Sequence, residues 1–315
     1  VAKVAIVGSG FIGRAWAISY ARAGNRVVLW DQDGEAPAKA LDYIDGVLGT
    51  LEQIGLLDGN SPSEVRARMS AAGTLEEALD GAAHVQENTP EVVEVKRDVY
   101  KRLDALADDD TVLASSTSGI LPSAFTEHLE GRARCLVVHP INPPYLVPAA
   151  EVVPAPWTDP GVVARTRDFL LAAGHAPIVM KREVDGFVMN RLQGALLQEA
   201  FRLVEEGYAS VEDVDIGIRD GLALRWSFMG PFETIDLNAP GGVRDYVERY
   251  EPLYARMQPS QQRMADWKGE PLDVIEGDRR ARLSKERLAE RQVWRDRRLM
   301  ALVAHKRRAD KEIGE

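Results

Sequence analysis

Cysteine is almost missing from this chain of 315 residues. The one present, Cys135, lies in the apolar run Cys135-Leu136-Val137-Val138. A single thiol excludes a disulfide framework within the chain and fits a reducing compartment, so a cytoplasmic setting is expected. Its neighbours make Cys135 a small buried residue. Long hydrophobic runs are missing too. None approaches the ~20 residues that a membrane helix needs, which excludes a helical membrane span. A strand pattern begins already at Lys3, so no signal peptide is expected. Internal repeats and low-complexity segments are absent, which excludes solenoids and biased linkers. What remains is a soluble globular composition, 45% hydrophobic and 28% charged. The length suggests two domains.

Charge is unevenly spread. The chain carries a net −10, yet residues 279–311 hold thirteen Lys or Arg against four Asp or Glu, a local +9. A basic tail can mark nucleic-acid binding. This one has a single aromatic, Trp294, and apolar residues at Leu283, Leu288, Leu299, Leu302 and Val303. The better reading is a helix docked on an acidic body or on a second subunit, with no nucleic acid and no membrane as partner.

The most informative feature is the opening. A β-branched run, Val4-Ala5-Ile6-Val7, enters Gly8-Ser9-Gly10-Phe11-Ile12-Gly13 and leaves it as an apolar helical stretch. The next apolar run, Arg26-Val27-Val28-Leu29-Trp30, ends at Asp31. Each part has a physical task in holding a dinucleotide. Gly8 permits the tight turn. Gly10 leaves room for a pyrophosphate. Gly13 lets the helix lie close to the strand. The N–H groups of Phe11 and Ile12 point at the phosphates, aided by the helix dipole. Asp31 can accept both ribose hydroxyls and would repel a 2′-phosphate, which favours NAD over NADP.

Apolar runs alternate with helical patterns through residue 150. Strands are predicted at 3–8, 26–31, 84–87, 112–115 and 135–139, with later ones at 151–153 and 177–181. Helices are predicted at 12–23, 35–54, 62–71, 75–79 and 93–106. This alternation implies an α/β fold, a Rossmann-type doubly wound sheet with its ligand beyond the carboxyl ends of the strands. Past Gly186 the pattern turns helical, with stretches at 188–206, 211–221, 231–236 and 243–258. Residues 238–242 and 268–278 read as loops. We therefore expect a cofactor domain over 1–184 and an all-α substrate and dimerisation domain, including the basic tail, over 185–315.

Several constellations carry chemistry. His139-Pro140-Ile141-Asn142-Pro143-Pro144 follows a strand directly, which puts an imidazole at the ligand edge of the sheet. Twelve residues on, Glu151 begins the next strand. A carboxylate beside an imidazole fixes its tautomer, as a general base for a hydroxyl requires. Ser115-Ser116-Thr117-Ser118-Gly119 ends another strand. Its hydroxyls can reach a nicotinamide ribose or a substrate oxygen, and they also read as a helix N-cap. Gln86-Glu87-Asn88-Thr89-Pro90-Glu91, leading to Lys96, reads as a cofactor loop or as a turn. Asn190, one turn into an apolar helix after Gly186-Phe187, serves either a ligand oxygen or an interhelix hydrogen bond. No metal site is expected.

These residues, in this order, resemble the L-3-hydroxyacyl-CoA dehydrogenase family. The matching features are Gly8–Gly13, Asp31, Ser116-Thr117-Ser118, His139 with Glu151, and Gly186-Phe187 with Asn190-Arg191. The words His139-Pro140-Ile141-Asn142-Pro143-Pro144-Tyr145, Asn190-Arg191-Leu192-Gln193, Leu203-Val204-Glu205-Glu206-Gly207, Gly230-Pro231-Phe232-Glu233-Thr234 and Gln292-Val293-Trp294-Arg295-Asp296 resemble its lambda-crystallin branch, the L-gulonate 3-dehydrogenases. The resemblance implies His139 as base, Glu151 as its partner, and Ser118 and Asn190 as holders of the substrate oxygen. It implies NAD contacts at Phe11, Ile12, Asp31, Glu91 and Lys96, with Ser116 beside them, and a homodimer.

The departures point to the substrate. The acyl-CoA enzymes usually carry His-Phe-Phe-Asn-Pro where this chain has His139-Pro140-Ile141-Asn142-Pro143, and they lack Arg225-Trp226 before Ser227-Phe228-Met229-Gly230. A guanidinium at Arg225 suits a free carboxylate, which a thioester does not offer. Alternatively, Arg225 makes a structural ion pair. The expected activity is NAD-dependent oxidation of a free L-3-hydroxy acid. The alternatives are a short-chain L-3-hydroxyacyl-CoA dehydrogenase and a crystallin-like structural protein that binds NAD without turnover.

Overall fold

The structure is a computed structural model and describes residues 1–314. Its eight strands are β1 (Lys3–Val7), β2 (Arg26–Trp30), β3 (Met69–Ala71), β4 (His84–Glu87), β5 (Val112–Ser115), β6 (Cys135–Pro140), β7 (Ala149–Pro154) and β8 (Ala176–Val179). They form one sheet in the order β3-β2-β1-β4-β5-β6-β7-β8. All neighbours run parallel except β6 and β7, which pair antiparallel. The order reverses between β1 and β4, the crevice where such sheets bind ligands.

Side-chain alternation along β1 builds both faces of the core. Val4 and Ile6 pack with Trp16, Ile18 and Tyr20, whereas Ala5 and Val7 pack with Val85, Leu113 and Phe125 on the opposite face. The helices that cover this sheet are α1 (Phe11–Arg22), α2 (Ala36–Gln53), α3 (Pro62–Ala67), α4 (Leu75–Leu79), α5 (Val93–Leu106), α6 (Pro122–Thr126) and α7 (Pro160–Ala172). Short α3 and α4 start from full capping boxes, Ser61 with Glu64 and Thr74 with Glu77. Each box satisfies two otherwise orphaned N–H groups. Cys135 is buried, and burial pushes its thiol up to about 12.

Contacts divide the chain into two units, Val1–Val188 with the segment from Trp294 onward, and Met189–Val293. The second unit is helical: α8 (Met189–Glu205), α9 (Val211–Ile216), α10 (Ala223–Trp226), α11 (Pro231–Leu237), α12 (Gly242–Gln261) and α13 (Glu270–Arg282). The last helix is α14 (Leu288–Ile313). Inside the second unit Phe201 stacks on Trp267 at 4.8 Å, and the Trp267 Nε1–H donates to Gln198 Oε1 at 2.9 Å. Its buried apolar side chains include only small ones, Ala239, Ala265 and Pro271, among the described residues, while Leu192, Leu224, Phe228, Phe232, Leu237 and Met264 are 63% to 78% exposed.

Four expectations are corrected. The helix expected over 62–71 stops at Ala67, and Met69–Ala71 instead pairs with β2 as a short edge strand. The loop expected over 268–278 is helix from Glu270 on; Pro271 stands in its first turn, where a missing N–H costs nothing. The helix expected over 211–221 is regular only to Ile216 and widens into a π-helical stretch over Gly217–Leu222. The end of the basic tail belongs to the first unit, not to the helical unit: Met300 is buried in the sheet's core cluster, with Leu299, Val303 and Ala304 against it.

Candidate active site

The chemistry begins with two opposed strands. His139 and Glu151 are register partners across the antiparallel β6–β7 pair. Their side chains project to the same face, so a separation of twelve residues becomes a contact: His139 Nδ1 lies 2.6 Å from Glu151 Oε2. His139 is 5% exposed and Glu151 is fully buried. The other carboxylate oxygen, Oε1, accepts the Val188 N–H at 2.7 Å. With Nδ1–H turned to the carboxylate, Nε2 is the acceptor of the neutral ring. The Phe187 ring lies 5.6 Å from the imidazole.

Two residues hold this corner in a conformation that sequence reading passed over. Gly186 has φ +77° and Phe187 has φ +52°. A left-handed backbone at a buried aromatic residue costs on the order of 1–3 kcal/mol and persists only where its surroundings demand it. Here it turns Val188 N–H onto Glu151 and Phe187 onto His139. The loop behind the histidine is braced as well: buried Arg22 donates from Nη1 to Tyr145 O at 3.0 Å. Asn142 Oδ1, in the same loop, is buried without a hydrogen-bond partner among the described residues, an acceptor suited to an N–H of a ligand.

The glycine turn fits a dinucleotide. Gly8 has φ +91°, and a Cβ there would lie 2.9 Å from the carbonyl of Asn88. A Cβ on Gly13 would lie 1.9 Å from Gly8 O. Nothing among the described residues lies within 4 Å of the Cβ position of Gly10, which leaves room for a pyrophosphate. Phe11 and Ile12 open α1, whose first-turn N–H groups have no intrahelical acceptor. Asp31 clamps this turn. Its Oδ2 accepts Ser9 N–H at 2.7 Å and its Oδ1 accepts Asp33 N–H at 3.0 Å. A carboxylate has about four acceptor sites, so capacity for ribose hydroxyls remains.

Three expected cofactor contacts are already engaged by the protein. Lys96, 1% exposed, places Nζ 3.0 and 3.1 Å from the two oxygens of buried Glu87, a partner that sequence reading missed. Glu91 Oε1 accepts from Thr117 Oγ1 at 2.5 Å and from the N–H groups of Ser118 and Gly119 at 2.9 and 3.1 Å. A cofactor contact by Lys96 or Glu91 would share or exchange these bonds. Ser116 Oγ accepts from Trp16 Nε1 at 3.0 Å and Gln86 Nε2 at 2.8 Å and donates to Asn88 Oδ1 at 2.7 Å. That fills a hydroxyl's capacity. A cofactor contact by Ser116 would likewise exchange one of these bonds. Ser118 lies at the carboxyl edge of β5, beside Glu91.

Asn190 and Arg225 belong to the second unit. Asn190 is in the first turn of α8. Arg225 Nη1 donates to Asn238 Oδ1 at 3.2 Å and makes no ion pair among the described residues. Also among the described residues, no group of three or more His, Cys, Asp or Glu side chains is arranged to hold a metal ion. No helix there is long and apolar enough to cross a membrane.

Comparison with known proteins agrees with the division into a sheet domain and a helical domain. The family model for the 3-hydroxyacyl-CoA dehydrogenase NAD binding domain matches residues 3–184, and that for the C-terminal domain matches residues 186–274. Lambda-crystallin of Oryctolagus cuniculus is 40% identical over 307 residues, 96% of each chain. An L-carnitine dehydrogenase of Streptomyces griseus is 40% identical over 253 residues, 80% of this chain and 74% of that one. A solved structure of 5-formyl-3-hydroxy-2-methylpyridine 4-carboxylic acid 5-dehydrogenase, an NAD-dependent dismutase, is 28% identical and covers 98% of both chains with a TM-score of 0.81.

Proposed function

Because the chain belongs to the 3-hydroxyacyl-CoA dehydrogenase family, NAD-dependent enzymes that act on 3-hydroxy groups, we propose that it oxidises the 3-hydroxyl of a free, L-gulonate-like L-3-hydroxy acid with His139 as base. NAD is its cofactor. The observation that carries the reading is the buried His139–Glu151 pair, with Nδ1 at 2.6 Å from Oε2.

Bound NAD supplies the acceptor for the hydride that leaves C3. His139 Nε2 takes the proton of the 3-hydroxyl. Glu151, held from its other oxygen by Val188 N–H, keeps the ring in that tautomer and stabilises the imidazolium as it forms. Ser118 and Asn190 orient the substrate oxygen. Phe11, Ile12 and Asp31 hold the cofactor's pyrophosphate and adenosine ribose, with Glu91 and Lys96 beside the nicotinamide end.

The free-acid assignment rests on Arg225. A guanidinium without a carboxylate partner among the described residues is available to one on a substrate. The relatives support this, since carnitine and the pyridine 4-carboxylic acid both carry a free carboxylate. The family's own name keeps a short-chain acyl-CoA thioester as the second reading. The exposed apolar side chains of the second unit support a homodimer. The buried lone thiol supports a cytoplasmic setting.

The test is His139→Gln. Turnover should fall by about 10²–10⁴-fold, the range for loss of a general base, while NAD affinity stays within twofold. Wild-type turnover in the variant would remove His139 from the mechanism.

A further inference from the structure

Arg225 owes its orientation to one neutral neighbour. Asn238 closes α11, and its Oδ1 accepts Arg225 Nη1–H at 3.2 Å. An arginine offers no acceptor, so the amide must present its oxygen here. Other arginines of the same unit are neutralised: Arg202 by Glu199, Arg219 by Glu212 and Asp220, Arg249 by Asp245, and Arg263 by Glu205 and Glu206. Arg225 is steered without being neutralised. It keeps its full charge and most of its five N–H donors.

The backbone at both ends of this contact is well defined. Arg225 lies in α10, the single turn that follows the π-helical stretch Gly217–Leu222, and such widened turns recur at functional sites. Asn238 N–H donates back to Ile235 O at 3.3 Å. The loop beyond it is pinned by Gly241 N–H on Asp245 Oδ2 and Val243 N–H on Asp236 Oδ1, each at 2.9 Å. Gly242, at φ +73°, makes the reversal into α12. The backbone that carries Asn238 is therefore held beside Arg225, with the side-chain contact itself at the surface.

We propose that Asn238 is the positioning residue for Arg225, presenting its remaining N–H groups to the carboxylate of the substrate and thereby setting the preference for free acids. This rests on the assignment of Arg225 to the substrate carboxylate. An aspartate at 238 would fill the same space but capture the guanidinium as an ion pair. The neutral amide is what leaves the charge for the ligand.

The experiment compares L-3-hydroxybutyrate with its methyl ester, by kcat/KM, in wild type, Asn238→Ala, Asn238→Asp, Arg225→Met and Arg225→Met/Asn238→Ala. Removing one orienting hydrogen bond should lower kcat/KM for the acid about fivefold, mainly through KM, and leave the ester within twofold. Asn238→Asp should lower the acid rate further, without lowering the melting temperature. In the Arg225→Met background, Asn238→Ala should add nothing. Equal effects of Asn238→Ala on acid and ester, or wild-type acid turnover in Asn238→Asp, would overturn the proposal while an acid-selective Arg225→Met defect stands. Equal effects of Arg225→Met on acid and ester would overturn the underlying assignment as well.

Discussion

Glu151 grips His139 from a fixed base: its Oε2 lies 2.6 Å from Nδ1, and its Oε1 is tied to Val188 N–H at 2.7 Å. The carboxylate cannot rotate without breaking a backbone hydrogen bond. The imidazole is thus oriented by the junction between β8 and α8, by way of the left-handed Phe187.

Glu151→Gln keeps the shape and removes the charge. It should lower kcat by roughly 10²-fold and leave the KM for NAD within twofold, because the partner acts on the base rather than on the cofactor. Steady-state kinetics would decide. An unchanged kcat would mean that the pair is structural only.

Asp31 holds the glycine turn through Ser9 and Asp33, and we assign it the adenosine ribose as well. Asp31→Ala should therefore weaken NAD by about tenfold and narrow the NAD/NADP ratio without creating a good NADP enzyme. Fluorescence titration of both cofactors measures it. A native preference for NADP would contradict this role.

Two buried histidines should make the fold acid-sensitive. Burial pushes His84 and His175 down to about 4, only partly opposed by hydrogen bonds to Gln86 and to Pro148 O. Unfolded, each titrates near 6.5. Between these values the unfolded chain binds more protons, so stability is full above pH ~6.5 and falls as pH drops toward 4. The loss is of order 3 kcal/mol per histidine by the low end. Urea unfolding at a series of pH values, compared with His84→Gln/His175→Gln, should show a steeper acid decline in wild type. Parallel curves would refute it.

How much of this was legible in the sequence depends on the kind of signal. The glycine turn, Asp31 and the His139–Glu151 spacing are local or register-determined, and they reappear as geometry. The sequence does not show the protein partners of Ser116, Lys96 and Glu91, because Asn88, Glu87 and Thr117 reach them only through the fold. The three residues of β3 are too few for a strand pattern. Residues 268–278 read as a loop, although Pro271 is equally at home in the first turn of a helix. A tail rich in arginine tells its charge but not its seat: the structure puts Met300 into the core of the first unit.

That seat can be weighed. Met300→Ala should cost about 2–4 kcal/mol, as for other buried large-to-small changes. Arg307→Ala, which loses a partly exposed pair with Asp58, should cost less than about 1 kcal/mol. Urea denaturation of both variants checks the order. The reverse order would mean that charge, not packing, holds the tail.

The second unit should be covered by a second copy. Light scattering should give twice the mass of the chain, and Phe228→Ser or Phe232→Ser should shift the protein toward monomer, since each exposes its ring in the single chain. A monomeric wild type would refute the homodimer.

The most direct measurement is the initial rate of NADH formation with L-gulonate, L-3-hydroxybutyrate and L-3-hydroxybutyryl-CoA, in wild type and His139→Gln. The account predicts a higher kcat/KM for a free acid than for the thioester, and near-abolition of all three rates in the variant. A large preference for the thioester would make the protein a short-chain acyl-CoA enzyme. Tight NAD binding with no NADH from any of the three would contradict the proposed catalysis.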